Sequence, residues 1–186
     1  MPEYLTLFTK ELFEYIENYG VIAALAGVFA GGVFMAVSVL TEKERTGRSL
    51  QAACRRSMLA ALFCSYMVML LAITIFSREP GSITTVNLKP FDTFRYRRFS
   101  IENVMLFCPF GFFYGLAVCG RKRWYAHWYI AVIWGGLASI CIETVQFLTA
   151  RGGAELDDVI TNTAGMLCGY AAAALVRYAW REEDGL

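Results

Sequence analysis

VIAALAGVFAGGVFMAVSVL, residues 21–40, is an unbroken apolar run without a single charged side chain. At about 1.5 Å of rise per residue, a helix over this run reaches about 30 Å, the depth of a bilayer's hydrocarbon layer. SMLAALFCSYMVMLLAITIF, residues 57–76, repeats the pattern. Soluble helices keep their apolar residues on one stripe, whereas these runs are apolar all round. The chain is therefore read as solvated by lipid.

Three further runs extend that reading. Residues 101–119 begin with Glu102 and Asn103, which sets the start of that span in the headgroup layer; residues 124–148 carry Glu143; residues 159–176 are followed by Trp180 and Arg181, which anchor an end at the interface. The predicted fold class is all-α, a polytopic membrane bundle of about five transmembrane helices, with the 186 residues forming one domain. Ahead of the first span, Leu5, Phe8, Leu12, Tyr15, Ile16 and Tyr19 recur at helical spacing, with Glu3, Lys10, Glu11, Glu14 and Glu17 on the remaining surface. This predicts an amphipathic helix over residues 2–19 that lies on the membrane or packs on the bundle.

Composition narrows the function classes. A hydrophobic share of 57% against 18% charged residues fits a membrane chain, and a net charge of +1 excludes nucleic acid, whose binding needs a basic face. Cys54, Cys64, Cys108, Cys119, Cys141 and Cys168 show no CxxC spacing, and five of them fall in apolar runs. They are read as small packing residues, so neither a metal nor another cofactor is expected. The N-terminus lacks the pattern of a removable signal peptide. Gly27 with Gly31, Gly111 with Gly115, and Gly165 with Gly169 form GxxxG pairs, expected to bring helices of one protomer into close contact.

Lysine and arginine set the orientation. With five crossings, Lys43, Arg45, Arg48, Arg55, Arg56, Arg121, Lys122, Arg123, Arg177 and Arg181 share one side, and Lys10, Arg78, Lys89, Arg95, Arg97, Arg98 and Arg151 the other. The positive-inside rule makes the richer side cytoplasmic, with the N-terminus outside and the C-terminus inside. Most of the outer positive charge lies in one long loop between Phe76 and Ile101, where topology alone disfavours it. That charge is read as serving a ligand.

The same topology gathers polar residues of spans two to five at the outer face. Glu143 and Gln146 stand one turn apart on one helix face, and Arg151 follows. Asp157 and Asp158 open the last helix, and Asn162 lies one turn beyond Asp158. Asp157 is equally well explained as a cap that meets the positive end of the helix dipole. Glu143 carries the most weight, because a charge at a span's centre costs about 2.5–3.5 kcal/mol on insertion scales. The alternative is a buried ion pair with Arg78 or Arg151 that only fixes helix register. His127 falls among interfacial tryptophans and receives no role.

From Ser77 onward these residues fall into a recognisable order: Ser77-Arg78, then Asn87-Leu88-Lys89-Pro90-Phe91, then Asn103 with Phe107-Cys108-Pro109-Phe110-Gly111, then Glu143-Thr144-Val145-Gln146, then Arg151, then Asp157-Asp158-Val159-Ile160-Thr161-Asn162-Thr163-Ala164-Gly165. Together they resemble the VanZ-like membrane protein family over about the last hundred residues. The resemblance implies a bacterial cytoplasmic-membrane protein, and the family's namesake is associated with resistance to the glycopeptide teicoplanin. It supplies no roles for individual residues.

Two readings of function follow. In the first, Arg78, Asn87, Asn103, Gln146, Arg151, Asp157 and Asn162 line an outward-facing site that binds or remodels an anionic lipid, a cell-wall precursor or a lipoglycopeptide, since guanidinium forks match phosphate and carboxylate oxygens. In the second, a membrane-embedded enzyme acts on a lipid-linked envelope substrate with Glu143 and Asp158 as acid and base. The sequence holds no HExxH, no GxSxG, no paired zinc histidines and no phosphate-binding glycine loop, which leaves enzyme status open. A transporter ranks below both, because the polar residues cluster on one side of the bilayer.

Overall fold

The computed structural model of the chain describes residues 3–41, 47–81, 85–92, 97–118 and 127–183. Its helices are α1 (Glu3–Thr41), α2 (Gly47–Leu71), α3 (Arg97–Val118), α4 (Trp128–Leu148) and α5 (Leu156–Glu183), joined by two short strands, β1 (Val86–Asn87) and β2 (Ala154–Glu155). Each helix contains a run long and apolar enough to cross a membrane: Thr9–Leu40, Leu50–Phe76, Ile101–Val118, Trp128–Leu148 and Leu156–Ala179. The all-α, five-span architecture read from the sequence is the observed one. The amphipathic stretch is not a separate element, however, because residues 3–41 form one uninterrupted helix. Gly20 does not break it: backbone polar groups have no partner in lipid other than their own helix, so a lone glycine at the edge of a span stays in the ladder.

The chain divides into two compact units, Met1–Ser77 and Arg78–Leu186. In the first, α1 and α2 run antiparallel with small residues at the seam. A Cβ on Gly27 would lie 2.6 Å from the Ala61 carbonyl oxygen, and one on Gly31 would lie 2.9 Å from the Ala61 methyl and 3.1 Å from the Ser57 carbonyl oxygen. Beyond α2 the helix widens into a π turn, Ala72–Phe76, closed by a 2.8 Å bond from Ser77 N–H to the Ala72 carbonyl. The Thr74 and Ser77 hydroxyls donate to the Leu70 and Ile73 carbonyls at 2.7 and 2.6 Å. Such turns are rare single-turn insertions in an α-helix.

The second unit is built around α5. Gly165 abuts the Val104 backbone, Gly169 abuts Cys108 and Phe112, Gly111 abuts Met166 and Tyr170, and Gly115 abuts Tyr170 and Ala173. Numbers rise together along both helices, so α3 and α5 are parallel, with interleaved GxxxG pairs that let backbone meet backbone. Pro109, inside α3, has no N–H to return to the Met105 carbonyl, which loosens that helix beside the seam. On the other side of α5, α4 runs antiparallel, Gly135 meeting Met166 and Ser139 meeting Asn162. Val118, Ala131, Met166 and Tyr170 form the apolar core, with Phe110 and Tyr114 packed on it.

All three glycine pairs thus act within one protomer, as expected. The cysteines differ from expectation: Cys54, Cys141 and Cys168 are exposed, and only Cys64 and Cys108 are partly covered, so three of the five described thiols lie on the surface of the chain instead of filling the interior. Cysteine is small and weakly polar enough to be tolerated there. Cys119, Lys43, Arg45, Arg121, Lys122, Arg123 and the loop residue Arg95 lie outside the described residues.

Candidate functional site

One end of the second unit collects its polar side chains. On α4, Ser139, Glu143 and Gln146 are buried on a single face, spaced by four and three residues. On α5, Asp157, Thr161 and Asn162 are buried and Asp158 is half-buried. Lipid offers no hydrogen bonds, and Ser139, Glu143, Asp157, Asp158, Thr161 and Asn162 meet protein partners instead. Asn162 Nδ2 donates to the Ser139 hydroxyl at 2.8 Å, tying α5 to α4. Asn103 Nδ2 of α3 donates to Asp158 Oδ1 at 2.8 Å and to the Thr161 hydroxyl at 3.2 Å, tying α3 to α5. The Thr161 hydroxyl in turn donates to the Asp157 carbonyl at 2.9 Å.

The connections close over this end. The C-terminus of α4 is held by a paired cap in which Arg151 N–H returns to the Gln146 carbonyl at 2.8 Å and Ala150 N–H to Phe147 at 3.2 Å, with Ala150 in the left-handed region at φ 53°. β1 and β2 then pair in parallel, Val86 beside Ala154 and Asn87 beside Glu155. Glu143 Oε2 accepts the Glu155 backbone N–H at 3.0 Å, so the carboxylate of α4 fixes the start of the chain into α5. Asp157 Oδ1 accepts the Phe91 N–H at 2.6 Å, fixing the loop that follows β1.

Two arginines complete the arrangement. Arg151 Nη1 donates to the Arg78 carbonyl at 2.7 Å. The exposed Arg78 side chain crosses Gly152 so closely that a Cβ there would lie 2.6 Å from its Nη1. Its guanidinium lies within electrostatic reach of both Glu143 and Asp158, which also sense Glu155. Carboxyl and guanidinium groups are therefore held together at this end of the unit. Among the described residues, no group of three or more His, Cys, Asp or Glu side chains is arranged to hold a metal ion.

Of the residues singled out from sequence, Arg78, Asn103, Glu143, Gln146, Arg151, Asp157, Asp158 and Asn162 fall in this one assembly. Asn87 sits beside it through the strand pairing, but its side chain serves its own loop, donating to Asp92 at 3.2 Å and accepting the Lys89 N–H at 3.1 Å. Arg97 and Arg98 lie on the first turn of α3, with side chains outside the described set. Sequence reasoning gave no part to Ser139, Glu155 or Thr161. The signal for Ser139 was its spacing, four residues before Glu143 on the same helical face; that for Thr161 was its position four residues after Asp157.

The positions assembled here lie within a stretch that matches a known family. Residues 63–177 match the family described as VanZ/LLP1. The chain belongs to the VanZ/LLP1 family. Protein VanZ of Enterococcus faecium is 30% identical over 115 residues, covering 58% of this chain and 68% of that protein. No solved structure matches the chain. The VanZ/LLP1 match takes in the end of α2, the π turn and all the site residues named above, and leaves out α1.

Proposed function

We propose that this multi-pass VanZ/LLP1 protein resides in a bacterial cytoplasmic membrane, N-terminus outside, and that the polar end of its second unit faces outward to bind or remodel an envelope molecule. The ligand is an anionic lipid, a cell-wall precursor or a lipoglycopeptide, and the phenotype brought by the family is resistance to teicoplanin. What carries the reading is the Arg78 guanidinium, stretched over Gly152 within reach of Glu143 and Asp158, on a scaffold of buried hydrogen bonds. A guanidinium fork suits a phosphate or carboxylate, and carboxylates beside it suit hydroxyl or ammonium groups of the same molecule. Arg78→Ala and Arg151→Ala, at unchanged membrane abundance, are expected to lower teicoplanin tolerance of cells that depend on this protein. Full tolerance in both would remove the basis of the reading.

A second reading is favoured by one observation. Glu143 and Asp158 each commit one oxygen to a protein donor, Glu155 N–H and Asn103 Nδ2, while the other oxygen of each receives none among the described residues. Carboxyls placed in that way suit proton transfer on a lipid-linked substrate. Glu143→Gln and Asp158→Asn keep the acceptor oxygens and remove the acids. Unchanged turnover of an identified substrate by both would leave binding as the activity.

A further inference from the structure

The loop 85–92 outside the helices presents apolar side chains in an ordered way. Val86 is 56% exposed, Leu88 69% and Phe91 66%. Asn87 is half-buried and turned the opposite way, as the alternation of extended backbone requires. Its amide holds the loop by accepting the Lys89 N–H and donating to Asp92. Phe91 adopts φ 65°, a conformation that bulky residues seldom take, and the buried Asp157 carboxylate secures it through the Phe91 N–H. The fold therefore constrains this loop while leaving its large apolar groups outside the protein interior.

The level of the loop relative to the bilayer is fixed at three points. Gly81 N–H donates to the Ala150 carbonyl at 2.8 Å, just past the end of the Trp128–Leu148 span. Ala154 N–H donates to the Thr85 carbonyl at 2.8 Å, just before the Leu156–Ala179 span, and Phe91 is tied to the first turn of that span through Asp157. Residues 85–92 thus lie beside the adjoining ends of two candidate spans. We propose that this loop is an interfacial anchor, in which Val86, Leu88 and Phe91 enter the outer acyl region of the bilayer and the exposed Lys89 stays with the lipid phosphates. Apolar side chains flanking a lysine are the composition of such anchors, and the lysine stem is long enough to keep its charge in the headgroup layer. The inference rests on the spans of α4 and α5 and not on the ligand assigned to the polar site.

The test is depth measurement by electron paramagnetic resonance. Val86→Cys, Leu88→Cys, Lys89→Cys and Phe91→Cys are each made in a chain whose native cysteines are replaced, spin-labelled, and reconstituted in phosphatidylcholine–phosphatidylglycerol vesicles. Relaxation by oxygen, which concentrates in lipid, is compared with relaxation by a water-soluble nickel chelate. Labels at 86, 88 and 91 are expected to give a positive logarithm of the oxygen-to-nickel ratio, and the label at 89 a lower value than that at 88. Leu88 is exposed and has no special backbone conformation to lose, so its label decides the matter if Phe91→Cys relaxes the backbone. A negative logarithm at 86 and 88 overturns the proposal in favour of water, and protection from both reagents overturns it in favour of a protein partner.

Discussion

Gly169→Ala tests the parallel contact of α3 and α5 that brings Asn103 to Asp158. A methyl there would fall on the Cys108 carbonyl oxygen and would lie 2.7 Å from Phe112 N and 2.8 Å from the Cys108 carbonyl carbon. Ordinary Cβ contacts begin at 3.4 Å, so the last two distances fall short by 0.7 and 0.6 Å, and the oxygen by more. All three atoms are backbone and cannot rotate aside, so α5 must move off α3. One turn earlier Gly165 abuts Val104, and the reciprocal contacts of Gly111 fall within the same seam, so the separation spreads. Overpacking of this kind costs about 1–3 kcal/mol, of which alanine's better helix propensity returns at most about 1 kcal/mol. Against a glycine-to-alanine control that gains the same propensity, the expected loss is about 1–3 kcal/mol, read from reversible unfolding in mixed micelles as the fraction of sodium dodecyl sulfate is raised. Gly136→Ala is the control in the same unit, since its methyl would meet only the Thr163 hydroxyl oxygen at 3.7 Å. If the two variants unfold at the same detergent fraction, the backbones of α3 and α5 do not touch at Cys108 and Gly169, and the reasoning fails.

Ser139→Ala removes the acceptor of the buried Asn162 amide and is expected to destabilise the second unit by about 0.5–2 kcal/mol in the same assay, since intramembrane hydrogen bonds carry about that much. Ala150→Gly relieves the left-handed residue that closes the α4 cap and should raise stability by about 0.5–1 kcal/mol, visible as a higher unfolding midpoint. Gly152→Ala places its methyl 2.6 Å from Arg78 Nη1, the far end of a flexible side chain, so the fold should keep its midpoint while, on the proposed function, teicoplanin tolerance is expected to drop as for Arg78→Ala.

The spans were legible because lipid imposes a length and an absence of charge that few soluble sequences meet, as residues 21–40 and 57–76 show. The glycine pairs were legible because nothing else in an apolar run explains that spacing. The uninterrupted α1 was not, because a change from amphipathic to wholly apolar surface at Gly20 reads as a boundary, whereas the helical backbone needs no break where its environment changes. Nor did the sequence reveal that Asn87 turns back on its own loop, since its reach depends on the strand pairing of Val86 with Ala154, a contact between segments far apart in the chain.

The residues that escaped notice share a physical property. Ser139 and Thr161 are hydroxyl side chains that an apolar helix tolerates, because each can bond within its own helix, as Thr161 does to Asp157. They become informative only opposite Asn162 and Asn103. Those amides, satisfied across helix seams, explain why three helices meet at this end, and their loss should first be felt as lost stability. Glu143 and Asp158 differ, since one oxygen of each has no protein donor among the described residues, and Arg78 differs because it reaches across a glycine to an exposed position. A carboxylate in a bundle needs only enough donors to remain folded there; an oxygen beyond that number serves no seam. The polar set is therefore divided by its bonding, with Asn103, Ser139, Thr161 and Asn162 joined across helix seams and Arg78, Glu143 and Asp158 as the groups that the proposed function assigns to a ligand.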